Sequence, residues 1–342
     1  MPQLEPHRPV VLSRQNCATP PILVRVARDG IEESAHRGHL VVTDIEGTVA
    51  AALGDPDHPF YARSAAKPFQ ALAILDLLDE VGIALDMEAV AIVCASHNGS
   101  ASHQVEAARL LALAGLDESA LRCPSEFPAD LHALLDQRAP TSLAHNCSGK
   151  HAGFLLAHTA TGGDPVTYLD PGTRLQRMVR DRLADAASSR LAGPGVDGCG
   201  APAWIIQLRG LAAGFARLAS GAGPYRRVWA AMSSRPDLVG GPRCVDTALM
   251  LADHRIVAKR GAEAVLAAGF NHEWYGPLGF AVKIEDGSTR ATGPALAAAV
   301  WALGGRVGDE IARPAVLGGG YPHGVVEADP GIAAVVRAAF EG

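Results

Sequence analysis

Residues 279–292 read GFAVKIEDGSTRAT, and this stretch predicts two strands joined by a tight turn. Apolar residues dominate the first half, 279–285, and small and β-branched residues dominate 288–292. Asp286-Gly287 lies between them, and an Asp-Gly pair between strand-like runs is the strongest short signal for a β-hairpin. We therefore expect an antiparallel strand pair towards the C-terminal end of the chain.

Strand-like sequence also occurs near the N-terminus. Residues 22–27 alternate, and residues 39–44 and 48–53 flank a short connection that is typical of a hairpin. Between the two ends, apolar residues recur three and four positions apart, as they do on helices, over residues 69–78, 103–114, 173–187 and 204–219. Both chain ends can therefore share one antiparallel sheet with a helical lobe beside it, which predicts an α+β fold.

The chain has 342 residues, more than a typical single domain, and it contains neither an internal repeat nor a low-complexity linker. Hydrophobic residues make up 48% and charged residues 19%, which is enough apolar material for a large core. We predict a single two-lobed catalytic domain over residues 1–342, strand-rich over 20–60 and 278–325 and mainly helical over 64–270.

Charge and hydropathy exclude two classes of partner. The net charge is −6 and no long run of Lys or Arg occurs, so nucleic acid is not expected as a partner. No apolar stretch reaches the roughly 18 residues of a membrane helix. Residues 1–10 lack the apolar region of a signal peptide, which predicts a cytoplasmic protein. The cysteines at 17, 94, 123, 147, 199 and 244 are too sparse for a disulfide scaffold.

A Ser-x-x-Lys motif precedes the first long helix. Ser64 and Lys67 lie one helical turn apart if Ser64 begins that helix. A serine hydroxyl needs a base within hydrogen-bond reach, and a lysine serves as that base only if its pKa falls through burial or a neighbouring cation. Taken alone, the spacing also fits an ordinary surface helix.

Two further motifs follow in chain order. Ser96-His97-Asn98 comes after a strand-like apolar run at 89–94, and Lys259-Arg260-Gly261 comes later. Ser-x-x-Lys, Ser-x-Asn and Lys-x-Gly in this order are the three elements of penicillin-recognising enzymes and serine β-lactamases. Together they predict serine–lysine acyl transfer, although Lys259 by itself could be a solvated charge.

A dense group of reactive residues occupies residues 145–153, which read HNCSGKHAG. Cys147 and the distant Cys199 could hold zinc with a third donor, for which Lys150, His145 and His151 are candidates. Two other interpretations remain open. Cys147 could be a nucleophile activated by a histidine, or both thiols could be small buried apolar residues. The other four cysteines need only a core or surface role.

These motifs together resemble the L-asparaginases of the Rhizobium etli type, and the resemblance spans nearly the whole chain. The matching segments lie in order between residues 63 and 287: RSAAKPFQ at 63–70, ASHNG at 95–99, HNCSGKHAG at 145–153, DGCGAP at 197–202, KRGAE at 259–263 and KIEDG at 283–287. Ala264 departs from the pattern, since glycine is expected there, and this departure concerns local backbone geometry.

The resemblance implies a β-lactamase/glutaminase-like fold, a homodimer, and hydrolysis of L-asparagine to L-aspartate and ammonia. It implies that Ser64 with Lys67 and Ser96 with Lys259 form two catalytic pairs. Cys147, Lys150 and Cys199 match zinc ligands. By the same resemblance, His151 would contact the substrate and Asp197 would lie next to the metal ligands. Arg63 is a candidate clamp for the substrate carboxylate, although it could equally be an ordinary solvated cation.

Three rival functions remain at this stage. A β-lactamase or penicillin-binding relative would share the serine–lysine motifs, although such proteins act outside the cytoplasm. A glutaminase would differ in substrate by one methylene, which is worth only about 1–3 kcal/mol of discrimination. A non-catalytic zinc-binding or redox protein would use Cys147 and Cys199, and it would leave both serine–lysine pairs without a role.

Overall fold

The structure is a computed structural model that describes residues 19–341, so Cys17 lies outside the described residues. Its strands are β1 Ile22–Arg28, β2 Ile31–Thr43, β3 Val49–Leu53, β4 Pro59–Tyr61, β5 Ala192–Val196, β6 Pro202–Gln207, β7 Ile256–Gly261, β8 Val265–His272, β9 Gly276–Ile284, β10 Ala315–Gly318 and β11 Tyr321–Ala328.

The helices are α1 Lys67–Glu80, α2 Met87–Val93, α3 Ala101–Leu113, α4 Leu131–Asp136, α5 Ser148–Ala160, α6 Arg174–Ala187, α7 Leu208–Ala219, α8 Tyr225–Ser234, α9 Pro236–Val239, α10 Val245–Ala252, α11 Thr292–Ala302, α12 Asp309–Ala312 and α13 Gly331–Glu341. A 3-10 turn, Arg63–Ala66, leads directly into α1. None of the described helices combines the length and apolar character that crossing a bilayer requires.

The main sheet is antiparallel and has eight strands in the described part of the chain. Its order is β10-β11-β1-β2-β9-β8-β7, with β3 paired to β2. Strands from both chain ends therefore lie side by side, as β1 does with β11 and β2 with β9. The predicted α+β class, with an antiparallel sheet built from both ends and a helical lobe, is confirmed.

Helix α7 packs directly on this sheet because small residues allow a close approach. A Cβ at Gly279 of β9 would lie 1.8 Å from the Ala212 carbonyl oxygen of α7, and one at Gly269 of β8 would lie 2.1 Å from Phe215 O. Helix α1 is buried on nearly all sides and lies in the helical lobe against α5 and α6. This burial places the residues at its N-terminus between the lobe and the sheet.

The sequence-based boundaries need three corrections. Residues 89–93 belong to α2 and not to a strand, with Cys94 directly after the helix, because the Asp86 side chain caps that helix by accepting from Ala89 N. Residues 204–207 belong to β6, and α7 begins only at Leu208. The region predicted to be mainly helical, 64–270, also contains β7 and most of β8, which complete the main sheet.

The stretch 279–292 forms one strand and not a hairpin. Asp286 Oδ1 accepts from Ser288 N, and the chain then turns through residues Thr289–Ala291 into α11. The apolar run after Thr292 is buried on nearly all sides of α11. Tertiary burial of that run outweighs the local hairpin signal, and β9 pairs instead with β2 and β8.

Candidate active site

Lys67 is the centre of the candidate site. It is the first residue of α1 and is almost completely buried. Its Nζ donates to Ser96 Oγ at 3.0 Å, to Asn146 O at 3.4 Å and to the carbonyl oxygen of Ala95. An ammonium or amine held by several acceptors has a fixed position, so Lys67 and Ser96 form a preorganised pair.

Lys259 reaches the same region from β7. It is fully buried, and its Nζ donates to Asp246 Oδ2 at 3.0 Å and to Arg260 O at 3.1 Å. Burial lowers the pKa of Lys259 to about 8, and the Arg260 and Lys67 charges act in the same direction while Asp246 opposes them. Lys259 is therefore neutral in a larger fraction of molecules near neutral pH than an ordinary lysine is, as a base requires.

Ser64 lies in the 3-10 turn one turn before Lys67, and it is partly exposed. The turn packs against the end of β7, where a Cβ at Gly261 would lie 3.2 Å from Ala65 N. Arg63, which begins the turn, has a φ of 49°, an uncommon left-handed conformation for a non-glycine residue. We call Ser64, Lys67, Ser96 and Lys259 the amine cluster.

Arg63 connects the amine cluster to a second group. Its guanidinium forms an ion pair with Asp197 Oδ1 at 2.8 Å, and Asp197 is also within reach of the Lys150 charge. Burial would raise the pKa of Asp197, but Lys150 and Arg63 lower it overall. Asp197 is thus an anion between two cations at the edge of the site.

The second group consists of Cys147, Lys150 and Cys199, which we call the thiol cluster. Lys150 Nζ lies 3.0 Å from Cys199 Sγ, and all three residues are buried. Helix α5 starts at Ser148, and it can approach α2 closely because a Cβ at Gly149 would meet the Ile92 carbonyl at 2.4 Å. That contact brings Cys147 next to the Ser96 loop, where Cys147 also interacts with Lys67.

The charges of the thiol cluster support metal binding. A hydrogen bond with Cys199 lowers the pKa of Cys147 well below the usual thiol range, with Lys67 and Lys150 acting in the same direction against burial. Burial alone would lower the pKa of Lys150, but the two sulfurs raise it overall. The sulfurs thus attract a cation, and thiolates with a nitrogen donor are a normal ligand set for zinc. The side chains of Cys147, Lys150 and Cys199 therefore fit a zinc ion.

The two histidines of the 145–153 segment have different surroundings. His145 Nδ1 accepts from Cys147 N at 2.9 Å, so this ring orders the loop. His151 Nδ1 lies 2.7 Å from Tyr168 Oη, while its Nε2 is buried and has no hydrogen-bond partner among the described residues. Burial, together with the Lys150 charge, lowers the pKa of His151 to about 4, so the ring is neutral. Cys199 also acts on this ring and raises the pKa of His151, but the effect of burial is larger.

A separate group with metal-like spacing consists of His39, His58 and Glu285. Asp55 N donates to His39 Nδ1 at 2.9 Å, so the neutral ring carries its proton on Nε2. That proton points to Glu285 Oε1, 2.9 Å away, and His39 stacks on His58 with ring centroids 4.2 Å apart. The group is a hydrogen-bonded structural contact in this arrangement.

All four serine and lysine residues predicted as catalytic lie in one region, and the predicted zinc ligands adjoin it. The hydrogen bond within the amine cluster joins Lys67 to Ser96, which the sequence assigned to different pairs. Sequence reasoning missed Asp246, Tyr168 and the role of Arg260. Arg260 was visible beside Lys259, but Asp246 carries no local signal that distinguishes it from an ordinary acidic residue in the first turn of a helix.

A third thiol, Cys123, also lies near the thiol cluster, and its charge would act on Cys147 and Cys199. Burial raises the pKa of Cys123 and of Cys94 to about 12, so both are inert thiols at neutral pH. Of the core or surface role that the sequence predicted for them, both have the core one, since both are buried.

A family model described as L-asparaginase II matches residues 24–325. The match includes both clusters and nearly all of the sheet, and the chain belongs to this family. A search of curated proteins gave no significant match.

Solved structures with detectable similarity include Mglu in its native form, at 17% identity and a TM-score of 0.40. The match covers 76% of this chain and 62% of Mglu, so the chain spans about three fifths of that protein. A Bacillus glutaminase matches at 14% identity and a TM-score of 0.33, over 78% of this chain and 91% of that one.

Proposed function

We propose that this protein hydrolyses L-asparagine to L-aspartate and ammonia, and that within its family it is of the Rhizobium etli type. The observation that carries the proposal is the buried contact between Lys67 and Ser96, with Ser64 and Lys259 in the same region. A serine nucleophile needs a neutral amine within reach, and mutual repulsion between two lysines favours the loss of one proton.

In the proposed mechanism, Ser64 Oγ attacks the side-chain amide carbon of asparagine. The hydroxyl proton passes to Lys67, which first gives its own proton through Ser96 to the neutral amine of Lys259, and the new Ser64 ester forms as the C–N bond breaks. Lys67, Ser96 and Lys259 then deliver the proton to the departing ammonia. The same groups activate the water that hydrolyses the ester and restores the Ser64 hydroxyl. The hydrogen bond of 3.0 Å between Lys67 Nζ and Ser96 Oγ supplies the path between the pairs.

The charges around the site support an amino-acid substrate. Asparagine carries a carboxylate and an ammonium group, and the Arg63–Asp197 ion pair offers one group of each complementary sign. We assign Arg63 to the substrate carboxylate and Asp197 to the ammonium, with His151 Nε2 as a further contact. Binding the substrate would replace the ion pair of the free protein with two new ones.

Zinc would be held by Cys147, Lys150 and Cys199. When bound, it would polarise substrate groups at the edge of the amine cluster. The chain's own residues keep the roles given above.

We also propose that the protein is a homodimer. Sedimentation of the purified protein measures its oligomeric state.

Ammonia release from L-asparagine and L-glutamine, with and without chelator, tests the proposal. We expect turnover of L-asparagine to exceed that of L-glutamine. Greater turnover of L-glutamine would make the protein a glutaminase, and turnover of a chromogenic β-lactam without ammonia release from either amide would favour the β-lactamase alternative. Zinc binding without hydrolysis of any of these would contradict the enzymatic proposal altogether.

A further inference from the structure

Asp246 lies directly behind the amine cluster, and the proposed reaction gives it no role. It is in the first turn of α10 and is fully buried. Its Oδ2 accepts from Lys259 Nζ at 3.0 Å, and its Oδ1 pairs with the Arg260 guanidinium. One carboxylate therefore contacts two consecutive cations of β7.

Arg260 extends this contact to the other half of the cluster. While one of its terminal nitrogens pairs with Asp246, the other donates to Ser96 O at 2.5 Å. The Ser96 backbone is also tied to the segment before α10, because Ser96 N donates to Val239 O at 2.9 Å. Asp246 is thus connected to Lys259 directly and to Ser96 through a single side chain.

Electrostatics make the carboxylate essential to this arrangement. Lys259 faces the cations Lys67 and Arg260, and it also lies near the thiols Cys94 and Cys244. Like charges repel strongly in a buried setting, where water screens them little. Burial alone would raise the pKa of Asp246, but Lys259 and Arg260 lower it to about 2, so it is an anion at every working pH.

We propose that Asp246 is a positioning residue for amide hydrolysis: it holds Lys259 directly and Ser96 through Arg260, and so assembles these two groups without touching substrate. This inference rests on the proposed function. It predicts that loss of the carboxylate charge changes the protonation of Lys259 as well as its position.

Asp246→Asn is the test variant, because it keeps the size and one oxygen acceptor and removes the charge. Asp253→Asn is its matched control. Asp253 caps the C-terminal end of the same helix, its side chain is 2% exposed, and it pairs with Arg255 at 2.6 Å. Both variants remove a buried carboxylate from an arginine contact, but only Asp246 contacts Lys259.

The first measurement is kcat/KM for ammonia release as a function of pH. We expect Asp246→Asn to lower the maximum by about 100-fold, the scale of one general acid–base group, and to move the limb that Lys259 sets by about one pH unit to lower pH. Asp253→Asn should keep the wild-type profile. An unshifted profile in Asp246→Asn, or an equal shift in Asp253→Asn, would overturn the inference.

The second measurement needs no substrate. In the metal-free protein, the loss of unfolding free energy caused by Asp246→Asn should shrink as pH rises from 7 to 10, because Lys259 then sheds its charge and no longer needs the carboxylate. The loss caused by Asp253→Asn should stay constant. If no amide is hydrolysed, the proposed function fails, and this measurement alone decides: a constant loss in Asp246→Asn would refute the role of Asp246.

Discussion

Two buried lysines of the candidate site, Lys259 and Lys150, have opposite electrostatics. Lys259 in the amine cluster has its pKa lowered to about 8 by burial and by the nearby cations. Lys150 in the thiol cluster has its pKa raised. Burial lowers the pKa of this lysine too, but the thiol sulfurs raise it by more. Burial alone therefore does not determine the protonation of a lysine; the charge of its neighbours does.

This difference separates the two clusters by chemistry. The amine cluster holds Lys259, an amine that can be neutral near physiological pH, and Lys67, which is hydrogen-bonded to the Ser96 hydroxyl. The thiol cluster holds a cation between sulfurs, and a metal ion would compete with the Lys150 proton for that place. The first arrangement suits proton transfer and the second suits cation binding.

Ser64→Ala should have the largest effect, and it tests whether the amine cluster carries the chemistry. Removing the nucleophile should lower kcat by about 10⁴–10⁶-fold, because no other step can replace the covalent one. Ser119→Ala, in an exposed turn, should leave kcat unchanged. A loss of only a few-fold in Ser64→Ala, together with a large loss in Ser96→Ala, would transfer the nucleophile to Ser96.

Removal of the metal tests the thiol cluster. Cys147→Ser and Cys199→Ser should each reduce the zinc content of the purified protein to less than about a tenth of an equivalent, since the site has few protein ligands to lose. Their loss of activity should be smaller than that of Ser64→Ala, because the nucleophile remains. Cys94→Ala should retain zinc, as its buried thiol lies outside the cluster. Wild-type protein that contains no zinc and keeps full activity in chelator would contradict the zinc assignment.

The pH dependence of stability should distinguish the two lysines. A lysine with a folded pKa of about 8 and an ordinary value of 10.5 is neutral in the folded state and charged in the unfolded state between these limits. Lys259 therefore lowers stability below pH 8, and stability recovers by about 3 kcal/mol as pH rises to 10.5. Lys150 has a raised pKa, so its stabilisation is lost only above pH 10.5.

Denaturant unfolding of the metal-free wild type and of Lys259→Met, between pH 7 and 10.5, measures this recovery of stability with rising pH. The recovery should be present in the wild type and missing from Lys259→Met. The difference between the two proteins isolates Lys259 from the titration of the thiols. Parallel curves would show that Lys259 keeps its ordinary pKa and that its neighbours do not act as described.

Ala264→Gly should have the smallest effect. Ala264 has a φ of 53° in the turn between β7 and β8, and an L residue with a side chain is strained there. Glycine should stabilise the protein by up to about 1 kcal/mol, without a change in kcat. The thermal unfolding midpoint of Ala264→Gly measures this change in stability. A midpoint lower than that of the wild type would mean that the buried methyl group of Ala264 stabilises the protein by packing more than the backbone strain destabilises it.

Much of the site could be predicted because its residues belong to short local motifs. Ser64 and Lys67, and Cys147 and Lys150, are each three positions apart, and helical geometry brings such residues together. The pairing of Lys67 with Ser96 could not be predicted, since it depends on how α1 and α2 pack. The hairpin expected at residues 286–287 was wrong for a related reason: burial of α11 outweighed the local turn signal.

The sequence by itself determined the class of fold and the reactive groups, because strand and helix periodicity and side-chain chemistry are properties of short segments. Only the tertiary structure decided which groups meet and what charge they carry. Asp246, Lys259 and Ser96 lie on different elements, and the pKa of each group depends on burial and on neighbours that are distant along the chain. Electrostatic energies depend on distance in space and on exclusion of water, which the order of residues does not specify.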